Sequence, residues 1–226
     1  MKQAFQLVEQ VLAGELPRRA PMFELIRNDA VIEHFSGETL TVENAAEMIP
    51  SIYADAVDIT RSVRMPEEPA ERILEDGRRQ KTFRWTVWTE HMRYDNAAAY
   101  ATAKKQHIEA FDPAWDVEAQ KLMDWEWDTN AKQQADLGEC VWMPCGVGVN
   151  LMSIFGEIVL EQFSYYMADC PDVIDELLEV ATLDAVRWVS HYPDRATAAM
   201  MMGDDIAFKS GTIFSPAWFE THYFHR

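Results

Sequence analysis

Residues Met200–Glu220 read MMMGDDIAFKSGTIFSPAWFE, and their punctuation constrains the fold more than any other part of the chain. Ala198–Met202 is an apolar run without polar alternation, the pattern of a strand buried on both faces. Gly203 then opens a charged stretch holding Asp204, Asp205 and Lys209, and Ser215-Pro216 supplies a helix cap with proline at the first helical position. In parallel α/β folds the active face lies at the carboxyl ends of the strands, so Asp205 and Lys209 are candidate catalytic groups. The competing reading makes both aspartates solvated loop acids and Lys209 their surface partner, since a charge cluster alone is weak evidence of a site.

The rest of the chain repeats this punctuation. Helical spacing over Gln3–Ala13 (Phe5, Leu7, Val8, Val11, Leu12) stops at Gly14, and Pro21–Ile26 reads as a short apolar strand. A helix over Glu43–Ala54 runs into a second apolar segment, Ala56–Ile59. Asp76-Gly77 between β-compatible arms predicts a hairpin whose second arm is Lys81–Thr89, with Phe83, Trp85 and Val87 on one side. Helices are expected over Asn96–Phe111, Ala114–Leu137, Leu151–Ala168 and Asp172–His191, with Cys140–Met143 as a buried strand. Strands alternating with helices indicate a parallel sheet, and the absence of repeats or linkers makes residues 1–226 one domain. The four apolar segments Pro21–Ile26, Ala56–Ile59, Cys140–Met143 and Ala198–Met202 are expected as neighbouring parallel strands.

Composition narrows the function. A formal net charge of −18 argues against nucleic acid and anionic membrane partners, because phosphate binding depends on clustered Lys and Arg. No run approaches the length of a membrane span and no signal peptide is evident, so a cytoplasmic location is expected. Three cysteines, Cys140, Cys145 and Cys170, fit a reducing compartment better than a disulfide framework.

The Gly-Asp-Asp pair after a buried run, the glycine loop and the Ser-Pro helix start resemble the middle of the uroporphyrinogen decarboxylase superfamily, which includes the corrinoid-linked methyltransferases. The opening helix Val8–Leu16 leading through Pro17 to Pro21-Met22-Phe23 is similar to that family's start. So are the small-residue loop Pro144–Gly156, the helix around Phe163–Met167 and the start Pro171-Asp172-Val173-Ile174. The resemblance implies a (β/α)₈ TIM barrel. Only four or five βα units are evident and the chain ends in the helix that Ser215-Pro216 begins, so the expected barrel is incomplete, lacking its C-terminal units, with a β-hairpin excursion near residues 71–89.

The resemblance also implies a site. Asp58 falls where the decarboxylases carry the aspartate that hydrogen-bonds the pyrrole nitrogens, which makes it a candidate catalytic residue beside Asp205 and Lys209. Glu24 and Arg27 after the first strand, Arg61 after the second and Asn150 after the third are candidate substrate-binding residues. Two departures count against porphyrinogen decarboxylation. The family's arginine-rich loop is replaced by Glu24-Leu25-Ile26-Arg27-Asn28-Asp29, and Ile154 stands where those enzymes carry a tyrosine. Methyltransferase-like or unassigned chemistry is therefore favoured, with decarboxylation in tetrapyrrole synthesis or a catalytically inert barrel fragment or binding module as alternatives. The methyltransferases hold zinc through a His-x-Cys pair and a distant Cys. No His-x-Cys occurs here, so no metal ligand is assigned in this chain, and zinc and a corrinoid protein partner are expected only of a longer protein. A homodimer is a further expected assembly.

Other chemistry-bearing residues have plainer readings. Cys140 and Cys145 read as packed small hydrophobes, and Gly146-Val147-Gly148 as a close-approach loop. His222 and His225 read as a surface pair. Trp115, Trp125 and Trp127 lie among acids and read as packing or a subunit contact.

Overall fold

The computed structural model describes residues 3–144, 148–149, 151–192 and 199–226. The chain divides into two compact units. Unit 1 comprises Met1–Thr89, Glu118–Cys145 and Asp194–Met201; unit 2 comprises Glu90–Val117, Gly146–Pro193 and Met202–Arg226.

Unit 1 begins with helix α1 (Gln3–Leu12), whose Ala4, Leu7 and Val8 are buried at the predicted spacing, and Gly14 follows it at φ 73°. Helix α2 (Asp29–Ser36) is capped by Asn28, whose side chain accepts from Val31 N, and closes on Gly37 in the left-handed conformation. Helix α3 (Ala45–Ala56) buries Met48, Ile49, Ile52 and Tyr53. These pack with Ile26, Ile32, Leu40, Val57, Leu137 and Cys140 into one apolar cluster. Helix α5 (Val117–Asp136; numbered in chain order, before it α4 of unit 2, Ala97–Ala110) lies largely in unit 1.

Three of the four predicted strands do run side by side and parallel. Phe23 bridges Ile59, and β1 (Ile59–Thr60) pairs with β5 (Val141–Trp142). From the fourth segment, Met201 N donates to Pro144 O at 2.9 Å; Ala198 lies outside the described residues. The expected TIM barrel, complete or incomplete, is nevertheless not what forms. Among the described residues about 51% are helical, the sheets have two, three and two strands, and no barrel closes. The physical reason lies in how the apolar runs are used. Ala56 ends α3, Val57 buries its side chain in the α3 cluster and Asp58 is held by Arg19 and Met22, leaving two residues for the ladder. Helices, not stacked strands, bury most of the apolar surface.

The hairpin is realised with one more turn than the sequence suggests. β2 (Ala70–Ile73), β3 (Arg79–Thr82) and β4 (Val87–Thr89) form an antiparallel meander, with Gly77 at φ 84° in the first turn. The long arm Lys81–Thr89 breaks at Arg84-Trp85, where Phe83 N donates to Thr86 O at 2.7 Å. Asp29 anchors that break, accepting from Arg84 Nε at 2.7 Å and Trp85 Nε1 at 2.6 Å. Trp85 thereby packs against the α3 cluster instead of standing in a strand.

Unit 2 is built from α4, α6 (Leu151–Gly156), α7 (Leu160–Asp169), α8 (Pro171–His191), a two-stranded hairpin of β6 (Ala207–Phe208) and β7 (Gly211–Thr212), and α9 (Pro216–Trp218) continuing into a π-helical turn, Phe219–Tyr223. The predicted helix over Leu151–Ala168 is two helices. Ser215 caps α9 as its sequence position implies, accepting from Trp218 N at 3.1 Å. An aromatic-rich core unites Tyr100, Phe163, Tyr166, Leu178, Phe214 and Phe219. No helix among the described residues is long and apolar enough to cross a membrane.

Candidate functional site

The parallel contacts of unit 1 give its strand ends a common direction. Thr60 and Tyr53, both fully buried, tie the segments that leave these ends. Thr60 Oγ1 donates to Glu24 O at 2.8 Å, and Ile26 N donates to Tyr53 Oη at 2.6 Å. Tyr53 Oη in turn donates to Ser62 O at 3.3 Å. A buried hydroxyl without a partner would cost about 1–3 kcal/mol, so these two side chains hold the backbone of residues 24–26 against residues 60–62. Burial raises the Tyr53 phenol above its ordinary range, which keeps it a neutral donor.

This brings Arg27, one of the predicted substrate-binding residues, to Ser62, which the sequence reading missed; Glu24 and Arg61 lie on the same two backbone runs. Arg27 Nη2 approaches Ser62 Oγ at 3.4 Å, at the long end of hydrogen bonding, and Arg61 stands half-buried next to Ser62 in sequence. Glu24 is exposed and receives the N–H of its neighbour Leu25 on Oε1 at 2.9 Å. A guanidinium group beside a hydroxyl at the ends of parallel segments can bind a carboxylate or another small anion. Ser62 carried no signal, because a serine after an arginine in a loop is ordinary. Tyr53 was hidden inside a helix pattern.

Asp58 has a different place. It precedes β1 and is 8% exposed, and its carboxylate meets both terminal nitrogens of Arg19, with Arg19 Nη2 at 2.8 Å from Oδ1. Met22 N donates to Oδ2 at 2.7 Å. The Arg19 hydrogen bonds hold this carboxyl below the usual carboxylate range, outweighing the opposing effect of burial, and Met22 N acts in the same direction. The movement is opposite to the one that burial alone would give. A carboxylate so occupied is permanently ionised at neutral pH and bound at the start of the strand.

Asp205 and Lys209 belong to unit 2 and are exposed, Asp205 ahead of β6 and Lys209 in the turn between β6 and β7. The other member of the acid pair is the occupied one. Asp204 accepts from Leu151 N at 2.5 Å, Met152 N at 3.0 Å and Tyr223 Oη at 2.8 Å, serving the otherwise unpaired N–H groups that open α6. Asp58 and Asp205 thus lie in different compact units. Asn150, Cys145 and Gly146 lie outside the described residues.

The cysteine and histidine readings can be followed further. Cys140 is fully buried in the α3 cluster, and burial pushes its thiol up to about 12. The Cys170 thiol is also raised, mainly by burial. His222 is not a bare surface residue: its Nδ1 lies 2.8 Å from Asp175 Oδ1 and its ring stacks on Trp218. Among the described residues, no three His, Cys, Asp or Glu side chains are grouped to hold a metal ion. No protein-family model, no curated protein and no solved structure matches this chain.

Proposed function

We propose that this chain is an enzyme acting on a small organic substrate that carries a carboxylate, with chemistry of the methyl-transfer kind found among uroporphyrinogen-decarboxylase-like proteins. The reading rests on the motif order of the sequence and on one structural observation: Arg27, Arg61 and Ser62 are held where the parallel segments of unit 1 end, through the buried hydroxyls of Tyr53 and Thr60. It does not rest on a barrel.

In this proposal Arg27 and Arg61 take the substrate carboxylate. Glu24, exposed on the same run, receives or returns a proton at a neutral leaving group. Asp58 serves as a positioning residue, because its Arg19 and Met22 contacts hold residues 22–24 against β1. A separate corrinoid protein would be the partner in methyl transfer.

The test is a substrate panel on the full chain. Methylated amino acids, betaines and methoxybenzoates, each carrying a carboxylate, are offered with free cob(I)alamin, and uroporphyrinogen is offered alone. The expected result is consumption of a methyl donor with cob(I)alamin, and a rise in KM of about tenfold or more in Arg27→Gln with kcat much less changed, as for loss of uniform binding. Turnover of uroporphyrinogen would favour the decarboxylase alternative. Turnover of neither, with donors still bound, would replace the enzyme reading by a binding module.

A further inference from the structure

Helix α5 is long, yet little of it is packed. Of its twenty residues only Met123 is buried. Polar contacts hold its inner side: Trp142 Nε1 donates to Asn130 Oδ1 at 2.8 Å, and Gln134 accepts from Trp142 N at 2.7 Å while donating to Cys140 O at 2.9 Å. At about 100° per residue, Met123, Asn130 and Gln134 share one side of the helix, and the opposite side is centred on Trp125. Trp125 is 64% exposed, and Leu122 beside it 50%. Thr129, one turn on, spends its hydroxyl proton on Trp125 O at 2.8 Å. An indole and a leucine left in water on one face of a long helix need a cover.

The charges on this face say what the cover is. Glu118 and Lys132 stand at equal distances before and after Trp125, about two turns away, while Lys121 stands about one turn before it and Asp128 about one turn after. When an identical helix lies antiparallel across a two-fold axis at Trp125, each residue meets the one at the mirrored offset. Glu118 then meets Lys132 of the second copy, Lys121 meets Asp128 of the second copy, and Leu122 meets Thr129 of the second copy, every pair occurring twice. A parallel arrangement would set each charge against itself. In the single chain Glu118 is held by Lys121 at 2.7 Å and Lys132 by Asp136 at 2.8 Å. These are exposed pairs that contribute little, and each ammonium has further N–H donors to share. The face sets two ammonium groups against the three carboxylates of Glu118, Asp128 and Asp136, so nearly all of the net charge of −18 lies elsewhere and a second copy meets little repulsion here.

We propose that this face of α5 is a self-docking surface, on which a second copy of the chain lies antiparallel with Trp125 at the two-fold axis. The surface uses none of the residues argued for the reaction and stands without that reading. A single helix seam of about 20 Å falls at the small end of protein interfaces, below roughly 1,200 Å², so the dimer is a weak one of micromolar order.

Sedimentation velocity of the full chain over roughly 1–300 µM tests this. The expected result is a reversible monomer–dimer equilibrium. Trp125→Lys abolishes the dimer, and because the indole is exposed the variant keeps the wild-type melting curve at a concentration where both are monomeric. Glu118→Lys and Lys132→Glu, each of which opposes like charges at both ends of the seam, weaken the dimer about threefold to tenfold. Carrying both substitutions in one chain restores it, a rescue that a merely structural role would not give and that a parallel pairing would not show. A chain that stays monomeric throughout the range overturns the proposal and leaves the face to a different protein. A dimer indifferent to Trp125→Lys, or a double variant no tighter than the single ones, overturns it as well.

Discussion

Replacing Asp58 by Asn separates a structural carboxylate from a catalytic one. The substitution preserves shape and burial but removes the negative charge and one of the two acceptor oxygens that Arg19 and Met22 N use. Hydrogen bonds to an ionised group contribute about 1.5–3 kcal/mol each where they are shielded from water. Arg19 is largely solvated, which discounts its share, whereas the Met22 contact is backbone to a residue only 8% exposed. We therefore expect Asp58→Asn to cost about 2 kcal/mol, or about 4–8 °C in Tm for a cooperative chain of this size. The pH dependence carries a sign. The folded-state pKa of Asp58 is depressed, so its stabilisation is present above the unfolded value of about 3.9 and is lost as pH falls through the lower, folded value. Melting wild type and variant across pH 7 to 3 should show a constant gap that closes only in acid. An unchanged Tm at pH 7, or a gap that widens in acid, would refute the ion-pair account. A loss of turnover with no change in Tm would return Asp58 to the catalytic role.

Tyr53→Phe deletes the hydroxyl that receives Ile26 N and reaches Ser62 O, leaving a buried N–H unpaired; the expected cost is about 1–3 kcal/mol by urea unfolding, with faster amide exchange at Ile26. Cys140, its thiol pushed up to about 12 by burial, should resist iodoacetamide at pH 8 in the folded chain and react on unfolding, as peptide mass mapping would show.

Local signals in the sequence were followed closely by the chain. Ser215 caps α9 because a short side-chain oxygen reaches the N–H three residues on, a relation that needs no tertiary knowledge, whereas α2 and its Asn28 cap were not read from the sequence. Helix periodicity likewise located α1, α4, α5 and α8 to within a few residues. What failed was the step from apolar run to barrel strand. Val57 and Cys140 are as apolar as strand residues should be, yet both are spent on the α3 cluster, and periodicity cannot distinguish a run that pairs from one that packs on a helix. The break in Lys81–Thr89 was hidden for a related reason. Alternation predicted one strand, while the partner that bends it, Asp29, lies far away in sequence. The candidate arginines were legible as charges after apolar segments, but Thr60 and Tyr53, which hold their backbone, had no sequence mark.

The acids show why a site is harder to read than a fold. A catalytic aspartate and a capping aspartate favour the same surroundings, a turn after an apolar segment, because both need a backbone that leaves regular structure. They differ in what fills their acceptor positions. Asp204 fills Oδ2 with Leu151 N and Tyr223 Oη and gives Oδ1 to Met152 N, and Asp58 fills Oδ2 with Arg19 and Met22 N and gives Oδ1 to Arg19, so a substrate that displaced one of these donors would lose a hydrogen bond already made. Each such displacement costs about 1–3 kcal/mol at a shielded site, a tenfold to hundredfold penalty on binding. Arg27 faces a weaker competitor, a single 3.4 Å approach to Ser62 on an exposed side chain, and can turn to a ligand at little cost. Availability of this kind, and not charge alone, makes Arg27 the stronger candidate for binding.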